Sequence, residues 1–223
     1  ALNQIKNEIN KRGKDKTITL SGKFTDAETI IASKLFSKGI GSDLYDCRFD
    51  NAQIIHGENE SYKFNSSIQE VENADAILLV GSNPRWEASV LNARIRKAYL
   101  SNNTKIISLN DIGDLTYSYQ SLDGKTQTIK DIVENNHQIS NEILSSQNPM
   151  IVLGQSFFNC KSAKFLFYSL KKFLLTTNKF RDNWQPLNIL SEHASQIGSL
   201  DLDIINNDIE LIKELKENKL ELV

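Results

Sequence analysis

The chain has 223 residues, 39% hydrophobic and 24% charged, with a formal net charge of −2. That length allows one large α/β domain or two small ones, and the composition is that of a soluble globular chain without general attraction to nucleic acid or anionic lipid. Two distant cysteines, Cys47 and Cys160, exclude a four-cysteine iron–sulfur or zinc site and suit reduced thiols in a reducing compartment. No apolar run approaches the ~20 residues that span a bilayer, and residues 1–20 are too polar for a signal peptide.

In chain order, Leu2–Lys11 reads as a helix already under way, so a natural chain extending further upstream is expected; it ends near Gly13. Lys16–Leu20 is a short strand. Thr25 or Asp26 caps a helix to about Ser37, with Ala27, Ile30, Ile31 and Leu35 on its inner face. Asp43–Lys63 is irregular and long for a plain connection. Asn65–Val71 is a short helix capped by Asn65 or Ser66. Ala76–Val80 is a continuous apolar run, as a strand buried on both faces of a parallel sheet requires. Gly81-Ser82-Asn83-Pro84 breaks it. Gly81 permits close backbone approach, Ser82 or Asn83 can cap, and Pro84 suits the first turn of a helix reaching Leu100 from Trp86.

Lys105–Leu109 completes a β-α-β unit. Helices follow at Thr126–Asn135 and Ile139–Ser146, a third buried strand at Met150–Leu153, Gly154, and a helix from about Cys160 to Leu175. Pro186–Ile197 and Asp208–Lys216 read as further helices. The alternation predicts an α/β fold, a mainly parallel sheet with Rossmann-like β-α-β units. It occupies residues 1–203, with any division into two subdomains falling within 110–148, and leaves a partly helical tail over 204–223.

Ligands of open α/β sheets sit beyond the carboxyl ends of strands, against helix N–H groups. Gly81-Ser82-Asn83-Pro84 is therefore the candidate ligand loop, although it is neither a GxGxxG fingerprint nor a Walker A motif and serves equally as a tight turn. Asn110 and Asp111 follow a strand and could hold a hydroxyl. Arg94, Arg96 and Lys97 suit anion contact or a solvated helix face with Glu87 and Asp75 as charge partners; Arg94 sits among Ala93, Ile95 and Ala98, so part of its stem must be covered, and it reads as a member of a structural ion pair. His56, His137 and His193 lack metal-ligand spacing and read as surface or capping residues. Cys47 is a loop ligand or a small apolar filler. Ser156 lacks the second glycine of a nucleophile elbow, and Trp86 and Trp184 are core or interface anchors.

The run ADAILLVGSNPRWEASVLNARIRKAY, Ala74–Tyr99, resembles one family, the large iron–sulfur subunit of bacterial NADH-quinone oxidoreductase, which is respiratory complex I. The resemblance extends through FNSSIQEVENAD, DLTYSY at Asp114–Tyr119, PMIVLGQS at Pro149–Ser156 and DNWQPLNILSEHASQIGSLDLD at Asp182–Asp203. It implies part of the molybdopterin oxidoreductase fold, in whose catalytic relatives the Gly81, Ser82, Asn83 and Pro84 loop would contact a pterin guanine dinucleotide. In complex I that domain is a relic, so the four residues are a vestigial cofactor site and no residue is assigned a catalytic or metal role. The chain is then a middle fragment without cofactor of its own, the iron–sulfur clusters being expected in an N-terminal region. Its partners are other subunits of the peripheral arm, on the cytoplasmic side of the bacterial inner membrane without insertion, and not nucleic acid. Deprived of neighbours, it is expected to self-associate. The alternatives are an active molybdopterin-binding fragment with Cys47 as metal ligand, and a generic nucleotide-binding Rossmann-like protein.

Overall fold

The computed structural model describes residues 1–48, 52–205, 213 and 217. In chain order the elements are α1 Leu2–Arg12, β1 Thr19–Leu20, α2 Ala27–Gly39, β2 Tyr45–Asp46, β3 Ala76–Val80, α3 Pro84–Glu87, α4 Ser89–Asn102, β4 Lys105–Ser108 and β5 Gln120–Ser121. They continue as α5 Thr126–Val133, α6 Gln138–Ser145, β6 Pro149–Leu153, α7 Gln155–Phe158, α8 Ala163–Thr176, β7 Leu187–Ile189 and α9 Ala194–Asp201. The chain forms two compact units, one from Gln53–Glu192 and one from Ala1–Ala52 with His193–Val223. The helix read at Asp208–Lys216 lies outside the described residues apart from Lys213.

The larger unit carries a wholly parallel five-stranded sheet in the order β5-β4-β3-β6-β7. Every residue of β3 and β6 is buried, which is why both read as unbroken apolar runs. On one face Ile77, Leu79, Ile106, Met150 and Val152 join Leu91 and Ile95 of α4 with Leu115 and Trp184. The alternate residues point to the opposite face; outside the cluster around α4, helices α5, α6 and α8 bury Ile129, Ile132, Ile139, Ile143, Leu166, Phe167, Leu170 and Leu174, with α5 against both α6 and α8. Each such side chain contributes about 1.5–3 kcal/mol by leaving water.

Several expectations need correction. Pro186–Ile197 is not one helix: Leu187–Ile189 is a strand paired with β6, and the helix starts at Ala194. A buried Asn188 interrupts the apolar signal of that strand; its Oδ1 accepts the Ser66 N–H at 2.8 Å and its Nδ2 donates to Gln185 O at 3.1 Å. Second, the helix read at Asn65–Val71 is only a 3-10 turn at Glu70–Asn73 without a side-chain cap; Ser66 is held by Asn188 and Gln185, while Ser67 and Glu70 exchange hydrogen bonds ahead of the turn. Third, the helix after Pro84 breaks at Ala88, whose backbone is not helical (φ −152°, ψ 73°). Fourth, the strand read at Lys16–Leu20 is confined to Thr19–Leu20, since Lys14–Lys16 forms a 3-10 turn.

In the smaller unit β1 and β2 pair in parallel, with Ile18, Leu20 and Leu44 packed together. Asp26 caps α2 by accepting the Thr29 N–H at 2.8 Å, a bond that lowers its carboxyl pKa. The inner face of α2 differs from the reading: Ile30 and Ser37 are buried, while Ile31 and Leu35 are exposed. Lys34 shares the face with Ile30 and reaches the end of α9, donating to Leu202 O at 2.7 Å.

Candidate functional site

In the observed strand order, β3 runs on to β4 and β5 on one side, while β6 and β7 lie on the other. The connections therefore diverge between β3 and β6, the switch point where open α/β sheets form a ligand crevice. Gly81 ends β3 there and Gly154 ends β6. Gly81 has φ +64°, the left-handed region that glycine adopts without a Cβ penalty. A Cβ on Gly81 would stand 2.5 Å from Phe157 N and 2.8 Å from Ser156 Oγ; one on Gly154 would stand 2.2 Å from Gly81 O. Ser156 Oγ donates to Gly81 O at 2.7 Å. The two glycine turns thus close on each other, and α7 fills the space beside Gly81.

The polar groups of the loop have partners in the same unit. The Glu87 carboxylate accepts the Ser82 hydroxyl and the Asn83 N–H, both at 2.9 Å. Asn83 caps α3 by accepting the Arg85 N–H at 3.2 Å and donates through Nδ2 to Ile112 O at 2.8 Å. Pro84 occupies the first helical position, where no N–H is missed. Arg85 meets Asp114 at 2.7 Å, and the Asp114 carboxyl pKa is lowered, first by the Thr116 N–H and then by Arg85. Asp111 is spent on its own turn, accepting the Gly113 N–H and the Tyr119 hydroxyl; these hold its pKa below the usual carboxylate range. Thr116 sits at φ 71°, an outlier for a β-branched residue.

The remaining candidates are dispersed. Arg94 and Lys97 both pair with Glu72, whose carboxyl pKa they lower, Lys97 by the larger effect. The expected partners serve elsewhere: Glu87 holds the loop, and Asp75 accepts the Gln147 and Asn148 N–H groups at 2.6 and 2.9 Å. His137 caps α6 through Nδ1. Cys47 is buried in the smaller unit, beside the Asp46–Arg48 ion pair. Trp184 is a core residue with its indole N–H on Pro149 O at 2.9 Å, whereas Trp86 is 82% exposed. Among the described residues no group of three or more His, Cys, Asp or Glu could hold a metal ion, and no helix is long and apolar enough to cross a membrane. Sequence reading missed Glu87 as the anion of the loop; its signal was an acid four residues beyond the capping Asn83, near a capping-box offset. The closure by Ser156 and Phe157 had no local signal, because it depends on which strands are neighbours.

An anionic dinucleotide at this crevice needs unspent N–H donors and positive potential. The Glu87 carboxylate supplies the opposite sign, and α7 occupies the approach to Gly81. As arranged, these residues do not fit such a group.

The whole chain, residues 1–223, matches the molybdopterin oxidoreductase family. It is 30% identical over 202 residues to the mitochondrial NADH dehydrogenase [ubiquinone] iron-sulfur protein 1 of Solanum tuberosum, covering 91% of this chain and 27% of that one. It is 29% identical over 202 residues to an NADH-quinone oxidoreductase subunit, the one designated G, of Rickettsia typhi, covering 91% and 30%. With the mitochondrial NADH-ubiquinone oxidoreductase 78 kDa subunit of Neurospora crassa it shares 31% over 189 residues, covering 82% and 25%. The chain thus spans no more than 30% of the length of these relatives.

Proposed function

The chain belongs to the molybdopterin oxidoreductase family, and from that premise we propose that it is a catalytically silent structural and interaction module of an NADH-quinone oxidoreductase large subunit. In this reading the whole subunit passes electrons from NADH toward quinone through iron–sulfur clusters held elsewhere in it. This part packs against neighbouring peripheral-arm subunits on the cytoplasmic side of the membrane. Similarity to the Rickettsia typhi oxidoreductase subunit and to the mitochondrial iron–sulfur and 78 kDa proteins supports the setting. One observation carries the silence: Ser156 and Phe157 close on Gly81 while Glu87 binds Ser82 and Asn83. The Gly81–Pro84 loop is then a cofactor loop by ancestry whose ligand has been replaced by the chain itself.

Elemental analysis of the purified chain tests this, alongside a Cys47→Ser variant. Molybdenum, tungsten and iron well below one atom per chain in both are expected. Stoichiometric molybdenum or tungsten lost in Cys47→Ser would establish the active molybdopterin fragment instead.

A further inference from the structure

The larger unit carries a second concave surface, remote in sequence from the loop, along the outer face of α8. Between Glu142 and Asp182 the sequence has no acidic residue, yet it holds Lys161, Lys164, Lys171, Lys172, Lys179 and Arg181. Lys171 is neutralised by Glu58 at 2.5 Å. Lys161, Lys164 and Lys172 have no ion-pair partner among the described residues, and they line a trench of about 660 Å³ with Gln53, Phe165 and Tyr168. Phe165 is 63% exposed and Tyr168 is 40% exposed. The opposite side of α8 accounts for its fold, since Leu166, Phe167, Leu170, Phe173 and Leu174 are buried there. The Tyr168 ring meets the buried Phe167 edge-on, with centroids 5.6 Å apart, and still leaves a face to solvent beside Phe165.

We propose that this trench docks an extended acidic segment of a partner polypeptide, carrying carboxylates about four residues apart with an apolar side chain between them. Charge selects the occupant: lysines without an ion-pair partner among the described residues, clustered on one face, set up a positive potential that attracts carboxylates. Spacing sets the pattern. Lys164 and Lys172 are eight residues apart on one helix, about 12 Å, which an extended chain covers in about four residues. In such a chain residues i, i+2 and i+4 face the same way, so two carboxylates meet the lysines while the central side chain rests on Phe165 and Tyr168. The apolar seat between the two lysines, formed by the exposed rings of Phe165 and Tyr168, suits one side chain of a peptide. The docking does not depend on what the Gly81 loop holds.

The test is fluorescence anisotropy of a labelled Gly-Gly-Glu-Ser-Phe-Ser-Glu-Gly-Gly peptide with the full chain. Saturable binding near 100 μM is expected, weakening severalfold when salt rises from about 50 to about 200 mM. Lys164→Glu with Lys172→Glu should weaken it at least tenfold, Phe165→Ala with Tyr168→Ala at least threefold, and the control Lys6→Glu with Lys11→Glu not at all. All the substituted side chains are exposed, so unchanged thermal unfolding is expected for each variant and is measured alongside. No saturable binding, an equal loss in the control, or displacement of the peptide by phosphatidylserine vesicles or oligothymidylate at lower concentration than by unlabelled peptide overturns the proposal.

Discussion

The turns after β3 and β6, Val80-Gly81-Ser82 and Leu153-Gly154-Gln155, look alike in sequence and differ in backbone. Gly81 is left-handed at φ +64°, whereas Gly154 is extended at φ −91° and ψ 177°. Gly81 needs its missing Cβ for conformation and for space, Gly154 for space alone. Each glycine admits the other turn: Gly154 approaches Gly81 O, and α7 approaches Gly81. A pair of glycines at a switch point thus serves the closing of a crevice as readily as the opening of one.

Substitutions separate these uses. Gly81→Ala should show the largest effect, because left-handed strain of about 1–2 kcal/mol adds to overpacking of about 1–3 kcal/mol; urea unfolding should show a loss of about 3 kcal/mol. Gly154→Ala meets only the overpacking cost, about 2–3 kcal/mol in the same assay. A crevice standing open at Gly154 would make that substitution nearly neutral. Ser156→Ala removes the hydroxyl donor to Gly81 O and should cost about 1 kcal/mol. Thr116→Asn places a residue tolerant of left-handed backbone at an exposed outlier near the Arg85–Asp114 contact; a gain of about 0.5–1 kcal/mol is expected.

Away from the switch point, Asp123 accepts the Thr128 hydroxyl and the Lys125 N–H at the start of α5, which lowers its pKa from 3.8 to about 2. A depressed folded-state pKa means a contribution complete above the unfolded value and lost as pH falls through the folded one. The stability difference between the native chain and Asp123→Asn should therefore be constant above about pH 5 and shrink between about pH 4 and pH 2. A difference that grows on acidification would reject the assignment.

What could be read from the sequence follows from how local each signal is. Ala76–Val80 and Pro149–Leu153 announce themselves because burial on both faces demands uninterrupted apolar residues. Leu187–Ile189 stays hidden because its middle residue is an asparagine that accepts a hydrogen bond from the distant Ser66 N–H and donates one to Gln185 O. The face of α2 is misread because Lys34 and Ser37 turn inward with Ile30, while Ile31 and Leu35 face outward. At the loop, Gly81, the Asn83 cap and Pro84 were legible as turn chemistry. The roles of Glu87 and Ser156 were not: Glu87 could equally have paired with the arginines of α4, and Ser156 reaches Gly81 only through the pairing of β3 with β6.

The central claim is that the chain itself occupies the crevice at Gly81. Its most direct measurement is thermal unfolding of the full chain titrated with guanosine diphosphate. A ligand at one hundred times its dissociation constant would add about 2.7 kcal/mol. The account expects no saturable shift in Tm up to millimolar nucleotide; a saturable shift that disappears in Gly81→Ala would contradict it.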